Sequence, residues 1–126
     1  MTATLALPDS FRRIHLELAR EHDHPEGSAA IRYEFAAPLT DDGRIDPTTW
    51  KQYRDHCRVV RSRPDEERRV GHLVRRPGGS WAFRYDQLAD EAGHHFDDER
   101  FTPGEYVSLR ENDESHTFKV VSVQPL

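Results

Sequence analysis

Short runs of strictly alternating apolar and polar residues, each closed by a Pro- or Gly-containing turn, constrain this chain more than any other feature. In Phe11–Arg20, Ile14, Leu16 and Leu18 alternate with His15 and Glu17, and further on Ile31, Tyr33 and Phe35 alternate with Arg32 and Glu34. A period of two buries one face of a strand and wets the other, so both runs read as strands. The breakers in Glu21-His22-Asp23-His24-Pro25-Glu26-Gly27 join them as a hairpin with a long loop. Val59-Val60 is a short strand. Val70–Arg75 and Ser80–Asp86 flank Arg76-Pro77-Gly78-Gly79, where Pro at the second and Gly at the third position suit a type II turn. Trp81, Phe83 and Tyr85 share one face of the second of those strands. Tyr106–Arg110 and Thr117–Val123 make a last hairpin, and residues 87–100 read as a polar, acidic connection.

One segment departs from this period. Asp46-Pro47 is a helix start, because Asp caps free N–H groups and Pro fits the first helical position. Trp50, Tyr53 and Cys57 then fall on one side, so residues 47–57 read as a single packed helix. Together the elements predict a mainly β fold: a small antiparallel β-barrel or strongly curved sheet of about seven short strands with one α-helix. The 126 residues are expected to form one domain, with residues 1–9 as a flexible N-terminal arm.

Composition narrows the function. Leu, Ile, Val and Phe supply only 26 of 126 residues, while 33% are charged, so the core is thin and the surface ionised. No run approaches the length of a membrane helix, and no basic segment precedes an apolar run near Met1. One cysteine excludes an intramolecular disulfide framework and a site of several thiolates. The expected setting is cytoplasmic, without a membrane partner. Residues 1–50 carry a net charge of −4, residues 51–84 carry +6 and residues 85–126 carry −7. Basic and acidic strands are therefore expected to neutralise one another. A nucleic-acid partner is disfavoured.

Gly71-His72-Leu73-Val74, the run Pro77–Asp86, Phe101-Thr102-Pro103-Gly104-Glu105-Tyr106-Val107-Ser108 and His116-Thr117-Phe118 resemble a family of small proteobacterial proteins with no assigned activity. Leu16–Phe35 and the helix around Trp50 are similar too, so the resemblance spans most of the chain. It implies no functional residue.

Histidine is the one enriched reactive type. His22 and His24 lie in an acidic loop, His94 and His95 precede Asp97-Asp98-Glu99, and His72 lies near the start of a strand. Imidazoles with carboxylates suit a divalent transition metal. If seven strands alternate in direction, loops 21–28, 63–69 and 87–100 open at one end and could gather these five histidines; otherwise they are solvated loop residues. Cys57 beside His56 reads as a small buried hydrophobe, since adjacent helix residues point about 100° apart. No Gly-x-Ser-x-Gly elbow, phosphate loop or EF-hand spacing is present. The primary expectation is a non-enzymatic binding or interaction module for an unknown protein or small ligand. The alternatives are the loop-rim metal site and a single-stranded nucleic-acid module using Arg58, Arg61, Arg75, Arg84 and an exposed aromatic row.

Overall fold

The structure is a computed structural model that describes residues 6–85, 91–94, 96, 99–111 and 114–126. It is mainly β. The antiparallel strands are β1 (Phe11–Leu18), β2 (Ser28–Pro38), β3 (Arg58–Ser62), β4 (Arg69–Arg75), β5 (Trp81–Tyr85), β6 (Glu91–His94), β7 (Tyr106–Glu111) and β8 (Glu114–Pro125). Each pairs with its successor, and β8 returns to β1, so the sheet closes and leaves no free edge.

The strand beyond the expected seven is β6, inside the segment that reads as a polar connection. Glu91-Ala92-Gly93-His94 has no apolar alternation to announce it. Its backbone is held between Trp81–Phe83 of β5 and Ser108–Arg110 of β7. Closure recruits this segment; its own side chains do not.

One α-helix, α1 (Pro47–Tyr53), begins as the sequence requires: Asp46 Oδ1 accepts from the amides of Thr48 at 3.1 Å and Thr49 at 3.3 Å. The helix is shorter than the expected 47–57. It tightens into a 3-10 turn over Arg54–His56, because the chain must leave the helix axis to start β3 at Arg58 opposite His72. Trp50 fastens α1 across one end of the barrel. Its indole N–H donates to the Leu73 carbonyl at 3.0 Å, and its ring meets Trp81 edge-on at 5.2 Å. Of the arm expected over residues 1–9, residues 1–5 lie outside the described residues, while Leu7 packs against the core.

The alternating residues fill the barrel. Phe83 stacks on Tyr33 with centroids 5.5 Å apart and also meets Phe35 at 5.1 Å and Phe96 at 5.9 Å. Phe101 packs against Phe35 and Phe96 beneath them. Among the described residues, aromatic rings fill the interior of the barrel, as side chains do in barrels of about eight strands.

Candidate functional site

Strand direction sorts the connections. The 39–57, 76–80 and 99–105 connections lie at the end covered by α1, where the Phe101 amide donates to the Gly43 carbonyl at 2.8 Å. The 19–27 and 63–68 connections lie at the other end, the mouth.

At the mouth, a cavity of about 460 Å³ opens between the β1–β2 loop, the β3–β4 loop and β8. Leu18, Ile31 and Phe118 form its apolar floor, and Glu21, His24, Arg63 and His116 are among the polar residues around its rim. The strands explain this mixture. His116 is in phase with Phe118 and Val120, which point inward, so its imidazole continues the inner face of β8 beyond the core. Arg61 likewise continues the inner face begun by Val59.

His116, Glu21, Arg61 and Arg63 have partners. His116 Nδ1 donates to Glu21 Oε2 at 2.9 Å, and Nε2 lies 3.5 Å from Glu114 Oε2. The hydrogen bond to Glu21 raises the His116 pKa above the ordinary imidazole value; partial burial opposes this, and Glu114 adds to it. Buried Arg61 lies over the Tyr85 ring at 5.4 Å and has Glu66 Oε2 at 3.7 Å. Arg63 donates to the Tyr33 hydroxyl at 3.2 Å. Asp65 adopts a left-handed φ of 63° in the loop between β3 and β4, a conformation that Asp tolerates better than most residues.

Four of the five histidines lie among the described residues, and the backbone does not bring those four together. Glu21 and His24 exchange backbone hydrogen bonds of 3.0 Å, a tight turn that leaves His22 exposed and sets His24 on the rim. His72 is mid-strand on the outer wall, between inward Gly71 and Leu73. His94 ends β6 one position past the Gly93–Trp81 pair, which puts its backbone at the helix-covered end. His95 lies outside the described residues. Of the 87–100 segment, the described residues 91–94 run as β6 towards the helix-covered end, so residues 99 and 100 lie away from loop 21–28. Among the described residues, no three His, Cys, Asp or Glu side chains converge as metal ligands would.

The single-stranded nucleic-acid alternative is corrected on two points. Trp81, Phe83 and Tyr85 are buried, so the row is core and offers no face for stacking on bases. Of the four arginines, Arg61 is buried inside the mouth, whereas Arg58, Arg75 and Arg84 are exposed and Arg75 lies over the Trp81 ring at 5.3 Å. Cys57 is buried as expected, its thiol donates to the Tyr53 carbonyl at 3.6 Å, and burial pushes its pKa up to about 12.

His116, Glu21 and Arg63 were not singled out from sequence. The available signal was phase, a titratable residue continuing the apolar face of a strand. Comparison of the chain with protein-family models, curated proteins and solved structures finds no significant match. Its class is given by the fold: a closed antiparallel barrel, capped by a helix at one end and polar at its mouth.

Proposed function

We propose that the protein is a non-enzymatic binding module that takes a small ligand at the mouth of the barrel. The observation carrying this reading is the cavity of about 460 Å³, where an apolar floor of Leu18, Ile31 and Phe118 meets polar side chains already fixed by neighbours. Ligand sites combine apolar lining with a few oriented polar groups, and barrel mouths are a frequent place for them. The filled interior limits the ligand to one that seats an apolar portion on that floor and leaves a polar group at the rim.

Amide chemical-shift mapping with 1-hexanol, hexanoate and hexylamine tests the reading. The three probes share one tail and differ in the head. The expected shifts cluster on Leu18, Glu21, Ile31, His116 and Phe118 for at least one probe, and Ile31→Arg abolishes them. Shifts absent for all three, or spread over the outer wall, would overturn the mouth as a binding site.

A further inference from the structure

The outer wall carries a feature independent of the mouth. Arg13 on β1 is opposite Ala36 on β2. Phe35 is opposite Val59, which makes Ala36 and Arg58 neighbours in the same row. Arg58 is opposite His72, and His72 is opposite Arg84. Register thus aligns Arg13, Ala36, Arg58, His72 and Arg84 across five consecutive strands, and all three arginines are exposed.

The part of this row around Ala36 is concave. Strands lie about 4.8 Å apart, so Arg13 and Arg58 start about 9.6 Å from each other with only a methyl group between them. A groove of about 230 Å³ occupies that place, and Arg13, Glu34, Ala36, Arg58, Val60 and Leu126 are among its lining residues. Among the described residues, neither Arg13 nor Arg58 forms an ion pair. Like charges gathered in one row of a sheet repel, and an anion seated between them relieves the repulsion.

We propose that this groove binds the phosphate group of a small phosphorylated molecule, with the Arg13 and Arg58 guanidinium groups donating to its oxygens from either side. Guanidinium suits phosphate because its planar fork donates two parallel hydrogen bonds. His72 and Arg84 extend the strip for a second phosphate. A compact ligand fits better than a nucleic acid, because residues 1–50 and 85–126 carry net charges of −4 and −7 and oppose a polyanion running beyond the strip.

Inorganic pyrophosphate, titrated calorimetrically at low ionic strength and mapped by amide shifts, is the test. Shifts are expected at Arg13, Ala36, Arg58 and His72. Arg13→Gln and Arg58→Gln should each weaken binding about fivefold, as expected for an exposed charge pair. Glu34→Gln should tighten it. Arg32→Gln removes the same charge from an exposed β2 position outside the row and should leave binding unchanged. All four are surface changes, and melting temperatures confirm that each variant is folded. Binding weakened as much by Arg32→Gln as by Arg58→Gln would reduce the effect to net charge and overturn the site, as would absence of shifts in the row. A single-stranded oligonucleotide that binds more tightly than pyrophosphate would overturn the small-molecule assignment.

Discussion

His116 Nδ1 and Glu21 Oε2 lie 2.9 Å apart although 95 positions separate the two residues. The pair ties the last strand to the first loop across the seam where the barrel closes. It therefore couples the geometry of the mouth to closure and to pH. Because the folded pKa of His116 is raised above its unfolded value, the ion pair's stabilisation is fully present below the ordinary imidazole range. It is lost as pH rises through the raised folded value. Glu21→Gln should lower the melting temperature at about pH 6 and have little effect at about pH 9. The exposure of the pair limits its contribution to about 1 kcal/mol or less. An equal loss at both pH values would show that His116 is neutral in the folded protein.

Cys57 should be unreactive in the native state. With its thiol buried and its pKa pushed up to about 12, the thiolate that reacts with a disulfide reagent is scarce at neutral pH. Labelling is expected only after denaturation. Rapid native labelling would mean that the segment following α1 opens readily.

Phe83→Ala removes the ring that joins Tyr33, Phe35 and Phe96. A loss of about 3–5 kcal/mol in denaturant unfolding is expected, the usual range for a buried Phe truncated to Ala. In a core this thin, that loss approaches the whole stability of a small domain. A loss below about 1 kcal/mol would place Phe83 outside the core.

Gly71 is required by close approach, because a Cβ there would sit 2.2 Å from the Arg84 carbonyl oxygen and 2.8 Å from Tyr85 Cδ1. Gly71→Ala should cost more than about 2 kcal/mol, since strand backbone has little room to shift. Amide shifts along β4 and β5 would report the displacement. A neutral substitution would show that these two strands are farther apart.

Asp46→Ala should cost about 1 kcal/mol, the typical value of an N-cap, because the Thr48 and Thr49 amides lose their acceptor. Asp46→Asn should restore most of it. If Asn fails to rescue, the carboxylate acts through charge rather than as a cap.

The alternation of Ile14, Leu16 and Leu18, and of Trp81, Phe83 and Tyr85, determined which faces are buried, because a strand presents its side chains to opposite sides in turn. Pro77-Gly78 determined the β4–β5 turn: Gly78 takes a φ of 92°, and the Gly79 amide donates to the Arg76 carbonyl at 3.0 Å. Asp46-Pro47 determined where the helix starts. These are local preferences, legible within a few residues. Closure was not legible. It depends on β8 meeting β1 and on β6, whose hydrogen bonds come entirely from neighbouring strands. The mouth and the basic row share that origin. Glu21 reaches His116, and Arg13 aligns with Arg58, only once register across the barrel is set. Local chemistry therefore determined the elements, while long-range strand pairing decided which titratable groups share a surface.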